Sequence, residues 1–164
     1  MAIPITNSQG TKIYVCPEGT ALLTAANVQT AYASAKLVGC IQDLGSISTT
    51  RNVQEYSCLS SDEIAKSFGS LSLGNFTIGM LFDSADAAGQ KELKDMFSSN
   101  EKREFIIGLS DADFSATTSP TCFVFTGGVS STEVSIQKDN AVMINATIEI
   151  ASVPLEISKD IVAV

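Results

Sequence analysis

Apolar and polar residues alternate along much of this chain, the pattern of strands that bury one face. Over residues 75–82, Phe76, Ile78, Met80 and Phe82 share a face. Residues 141–153 hold the longest run. There Val142, Ile144, Ala146, Ile148 and Ile150 point one way, and Ala141, Met143, Asn145, Thr147 and Glu149 the other. Shorter runs predict strands at 12–16, 37–44, 53–59, 103–109 and 121–129. Pro17-Glu18-Gly19 stops the first of these. Phe105, Ile107 and Leu109 align in the fourth, and Phe123 and Phe125 in the fifth. Between 84 and 98 the spacing becomes helical. Ala85, Gly89, Leu93, Met96 and Phe97 make an apolar stripe, with Gln90, Lys91, Lys94 and Asp95 on the wet face. Asp83 or Ser84 caps the start, and Lys91–Asp95 is an i,i+4 pair.

The connecting segments are polar and rich in Gly and Ser. In DLGSISTTRN, residues 43–52, the Gly45-Ser46 pair suits a two-residue hairpin turn that sets Cys40 opposite Arg51. A turn centred on Thr49 would set Cys40 opposite Cys58. Gly45 is preferred because it accepts a positive φ that Thr49 resists. Residues 20–35 are small and Ala-rich, ambiguous between short helix and loop. Residues 60–74 read as a long polar loop, of the kind that is functional or disordered. Residues 1–10 and 155–164 read as arms. The fold class is mainly β: one domain over residues 1–164, an antiparallel β-sandwich or barrel with one lateral α-helix.

Composition narrows the chemistry. The chain has 164 residues, enough for one real core. Hydrophobic residues make up 45% and charged ones only 17%, a balance that suits a protein hiding surface against its own copies. No run approaches a membrane span, and the start MAIPITNSQG lacks the features of a signal peptide, so residence in a cytoplasm is expected. Ten Lys and Arg against 18 Asp and Glu leave a net charge of -8. No basic stripe exists to displace counterions from nucleic acid.

There is no His, which removes the commonest general base and the Ser-His and Cys-His pairings. No phosphate-binding glycine motif appears. Cys16, Cys40, Cys58 and Cys122 form no C-x-x-C pair and read as reduced structural thiols. Asp111 and Asp113 resemble half a calcium loop but lack its Gly and distal Glu, and read as a solvated turn. The triplets at Asn75 and Asn145 match a glycosylation pattern that is common by chance and lies inside predicted strands. The expectation is no enzyme, no cofactor and no metal.

Taken in order, GTKIYV, QDLGSISTTRNVQEYSCL, the Ser/Gly loop, NFTIGMLFDSADAAGQKELKDMF, FIIGL, CFVFTGGVSST and NAVMINATIEIASVP resemble the tail tube proteins of long-tailed bacteriophages, typified by the major tail protein of phage lambda. The resemblance runs from about Gly10 to about Pro154. It implies a virion protein, made and assembled in the bacterial host cytoplasm, that forms hexameric rings stacked into a hollow tube. Its partners would be its own copies, a tape-measure protein, and tail terminator and baseplate proteins, with no membrane anchor. Double-stranded DNA would pass through without specific binding. Asp43, Glu55 and Glu149 are candidates to face the lumen, against the plainer reading that they are outer-surface charges. Phe68, Leu71 and Leu73 are candidates for contacts between rings. The alternatives are the inner tube of a contractile tail or secretion machine, and a non-catalytic β-barrel binding module.

Overall fold

The computed structural model describes residues 8–86, 88–115 and 118–159. In chain order its elements are β1 (Lys12–Val15), α1 (Val28–Ser34), β2 (Lys36–Leu37), β3 (Ile41–Leu44), β4 (Thr49–Ser57), β5 (Ile64–Leu73), β6 (Asn75–Leu81), α2 (Gly89–Ser99), β7 (Lys102–Gly108), β8 (Cys122–Ser135), β9 (Met143–Ile150) and β10 (Leu155–Ile157). One antiparallel sheet runs β2-β1-β7-β8-β9-β6-β3, with β10 added on β8, while β4 and β5 form a separate two-stranded sheet.

β2 and β3 are the outer edges of the large sheet, yet only residues 38–40 separate them in the chain. Such a link reaches at most roughly 15 Å, so the sheet curls until its edges nearly meet. Cys40, at φ 57°, makes the corner, and its carbonyl accepts the Leu81 N–H at 2.9 Å. The single strand predicted over 37–44 is therefore two short strands on opposite edges.

Curling places β1 and β6 around one core. Ile13, Phe76, Ile78, Phe105, Phe125 and Ile148 are buried in it. The Phe105 and Phe125 rings stack with centroids 5.5 Å apart, and Phe76 meets Phe125 edge-on. A second cluster lies on the other side of β1, β7 and the start of β8. Tyr14, Ile106, Cys122 and Val124 are covered there by Leu23, Val28 and Ile157. The chain thus has a second helix, α1, which the Ala-rich segment left undecided. Residues 155–157, read as part of an arm, are a strand, because Ile157 closes this cluster. The predicted arm residues 1–7 and 160–164 lie outside the described residues.

α2 closes one side of the barrel through Leu93 and Met96, both buried. Phe97, predicted in the stripe, is 47% exposed, and Ala85 precedes the helix and is exposed. Gln90, placed on the wet face, is 2% exposed. Its amide is satisfied by backbone: it donates to Leu81 O at 2.7 Å and Gly39 O at 3.3 Å, and accepts the Asp83 N–H at 3.2 Å. The cap is Asp86 rather than Asp83 or Ser84. Its carboxylate accepts the N–H groups of Ala88, Gly89 and Gln90 at 2.9, 3.1 and 3.2 Å. Glu92 ties the helix to the sheet by ion pairs with Lys36 and Arg103, and Arg103 also holds Glu101 at 2.8 Å.

The predicted hairpin at Gly45-Ser46 does not form. β3 pairs with β6, and β4 pairs with β5. Gly45 is needed for closeness instead: a Cβ there would stand 3.2 Å from the Thr77 nitrogen. The predicted loop over 60–74 is mostly the strand β5.

Candidate assembly surfaces

Across β3, β6, β9 and the far half of β8, the side of the sheet away from the core is polar. Strand register sets its rows, since directly paired residues share a face. Asp43, Gly79, Asn145 and Glu133 form one row across all four strands. Thr77 and Thr147 lie in the next, their hydroxyls 3.2 Å apart. Asn75, Glu149 and Gly128 lie in a third, where the Asn75 amide donates to Glu149 at 3.1 Å. Two of the predicted lumen residues, Asp43 and Glu149, are thus brought onto one face. Glu133 joins them, and the sequence reading missed it because the predicted strand ended at Val129. The signal was present: Ser131, Glu133 and Ser135 alternate with Thr132 and Val134.

Glu55 is elsewhere. It lies on the β4–β5 hairpin and pairs with Lys66 at 2.8 Å. The hairpin has its own two faces. Asn52 stands opposite two residues, Gly69 and Ser70, in a bulge. Counting through it, Arg51, Val53 and Glu55 share a face with Leu71, Phe68, Lys66 and Ile64. Phe68 is 67% exposed and Leu71 39%. The other face carries Gln54, Tyr56 and Ser67. Leu73, the third predicted contact residue, is half-buried at the root and packs against the main core. Strands of 9 and 10 residues extend about 30 Å, and among the described residues each pairs only with the other.

A groove of about 910 Å³ opens at the side of the barrel. Its apolar floor includes Ile41, Leu44, Ile47, Leu109 and Phe123, all half-buried. Asp43 at the edge strand β3 and Glu156 also line it, and Glu156 shares a face of the sheet with its partner Phe123.

The ionisable groups serve structure. Burial pushes the Cys16 thiol up to about 12, helped by the nearby charge of Glu104, and the Cys122 thiol up to about 11, helped by Asp111. Cys40 and Cys58 are exposed, and all four cysteines are free. Asp111 spends its carboxylate on the Thr121 N–H and hydroxyl, at 3.0 and 2.6 Å. Among the described residues no group of three or more Cys, Asp or Glu is placed to hold a metal ion.

A polar sheet face, a projecting apolar hairpin and an open groove on one small barrel are features of a subunit. Over residues 5–160 the chain matches the family described as phage tail tube, TTP, lambda-like. The chain belongs to that family. It is a structural tail component, and none of the described helices is long and apolar enough to cross a membrane. No curated protein matches it in sequence. The SPP1 tail tube, solved by solid-state NMR and electron cryo-microscopy, is 17% identical over 98% of this chain and 87% of its own, with a TM-score of 0.64. The tail of an empty gene transfer agent particle, refined with C6 symmetry, is 13% identical over 94% of this chain and 100% of its own, at 0.65. A chain of the anti-feeding prophage baseplate is 7% identical over the full length of both, at 0.70. At these identities the likeness is one of fold.

Proposed function

We propose that this tail tube protein polymerises as stacked rings of six copies, and that its polar sheet face lines a bore for double-stranded DNA. The observation that carries the reading is the row Asp43–Gly79–Asn145–Glu133, acidic at its ends and small in its middle. DNA in transit must not be held. Cationic walls release counterions and bind duplex tightly, whereas this face repels phosphates over a Debye length of ~8 Å. The sixfold symmetry of the gene transfer agent tail supports the ring number. Four strands at ~4.8 Å give each copy about 19 Å of wall, and six copies close a bore roughly 37 Å across between backbones. Asp43 and Glu149 line the bore in this reading. Glu55, paired with Lys66 on the hairpin, belongs to the surface between copies, with Phe68 and Leu71. Leu73 anchors the hairpin root. A tape-measure protein would occupy the bore during assembly, with terminator and baseplate proteins at its ends. The protein works without catalysis, in keeping with a chain that has no His.

Electron microscopy of the purified protein tests the assembly: rings or tubes are expected, and a persistent monomer at high concentration would overturn it. The wall is tested by changing Asp43, Glu133 and Glu149 together to Lys. Tubes should still form and DNA delivery should stall; unaffected delivery would sink the lining assigned here.

A further inference from the structure

We propose that residues 3–7 of this chain, which lie outside the described residues, run along the open edge of β3 and lay Ile3 and Ile5 on the floor of their own side groove. The proposal concerns a single copy and does not rest on the polymer proposed above. The groove is the seam left by the curled sheet. β3 pairs with β6 on one edge and with no described strand on the other. Ile41, Leu44 and Ile47 line the seam from that side, and Leu109 and Phe123 from across it. An open strand edge beside an apolar floor is a place for one more strand.

The chain itself enters this seam. Ser8, Gln9, Gly10 and Thr11 all line the groove. They form a turn: the Ser8 carbonyl accepts the Thr11 N–H at 3.1 Å, and Gly10 takes φ 88°, a value that favours glycine at the third turn position. The turn reverses the chain, so the residues before Ser8 head back over the groove and not away from the barrel. Five residues reach about 17 Å and the four of β3 span about 13 Å, so Ile3 can lie beside the far end of that strand. Thr11 Oγ1 is buried and has no hydrogen-bond partner among the described residues. Buried hydroxyls are nearly always paired, and a segment returning beside the turn brings backbone carbonyls to this one.

The sequence MAIPITN suits the seam. Ile3 and Ile5 alternate with Pro4, so both apolar side chains fall on one side of an extended strand. The same alternation turns the backbone groups of residues 3 and 5 to one edge and the nitrogen of Pro4 to the other. Pro4 has no N–H to give, and proline is tolerated in a strand whose edge goes unpaired. Residues 3 and 5 would bond β3, with Pro4 facing away. The segment has no acidic side chain to oppose Asp43 and Glu156, and the groove lining has no Lys or Arg to call for one.

The test uses the full chain, kept monomeric at low concentration. A benzophenone amino acid in place of Ile5, in a mixture of isotopically light and heavy copies, should cross-link on irradiation within its own copy, to residues 41–47, 109 or 123. Cross-links to another surface, capture of a second copy's groove, or no cross-link at all would overturn the proposal. Hydrogen exchange gives an independent readout. Changing Ile3 and Ile5 together to Asp should speed exchange at least tenfold at the β3 amides that face away from β6, and leave β7 and β8 as they were. Unchanged exchange in β3 would sink the docking, and faster exchange throughout the barrel would count against a segment that only closes the seam. Whether the concentrated wild-type chain forms rings or tubes is read separately, so the polymer and this docking fail on different results.

Discussion

Gly89 presses its backbone against Leu37: a Cβ at Gly89 would stand 2.3 Å from the Leu37 carbonyl oxygen and 2.4 Å from Val38 Cα. This is where the first turn of α2 meets the link between the two sheet edges, so the helix and the barrel corner share one contact. Ala at this position would gain roughly 0.8–1.0 kcal/mol of helix propensity. The clash involves backbone on both sides, and overpacking of that kind costs about 1–3 kcal/mol or more. Gly89→Ala should therefore lower the urea midpoint of the monomer. An unchanged or higher midpoint would mean that the corner is loose.

Leu93 and Phe97 separate the two sides of the same helix. Leu93→Ala should cost ~2–5 kcal/mol in monomer unfolding, as expected for a fully buried site. Phe97→Ala should cost less than about 0.5 kcal/mol, the size of an ordinary surface change. Equal losses from the two would show that α2 is docked in another rotation.

Cys40 and Cys58 should react with an aromatic disulfide reagent in the native protein, while Cys16 and Cys122 should wait for unfolding, being buried and raised in pKa. In denaturant all four should titrate without prior reduction. Two thiols in denaturant would indicate a bridge and refute the assignment.

The Glu92 carboxyl is held below its ordinary value of 4.5, first by the Lys36 hydrogen bond, against burial, and then by Arg103. A depressed folded pKa gives stability that is fully present above about 4.5 and is lost as pH falls through the folded value. Urea midpoints should fall between neutral and strongly acidic pH. Glu92→Gln should be less stable at pH 7 and lose less on acidification. Parallel pH profiles for the two proteins would exclude Glu92 as a contributor.

Where one face of a strand rests on the core, its residues announced it. β9 reads correctly from Ile144 to Ile150, because shifting it by one residue would expose all of its apolar side chains. β6 reads correctly through Met80 for the same reason, but Phe82, predicted on the same face, lies beyond the strand and is exposed. β5 did not read as a strand. Its bulge at Gly69-Ser70 puts Ile64 and Phe68 out of step with Leu71 and Leu73, and beyond Leu73 at the root the strand is exposed, with no core to demand alternation. Gly45 misled because its role is close approach to β6, which only tertiary structure creates. The polar face was partly legible. Glu149 follows from alternation, whereas Asp43 alternates with Leu44 but is turned away from Ile41 by a bulge, and bringing the two acids together requires the order β3-β6-β9, which pairs strands far apart in the chain.

The three-residue link between β2 and β3 ties the fates of the two sheet edges together. A pull that strips β3 from β6 is passed through residues 38–40 to β2 and β1, and α2, pressed on Leu37 by Gly89, is dragged with them. Loosening either edge therefore loosens the other.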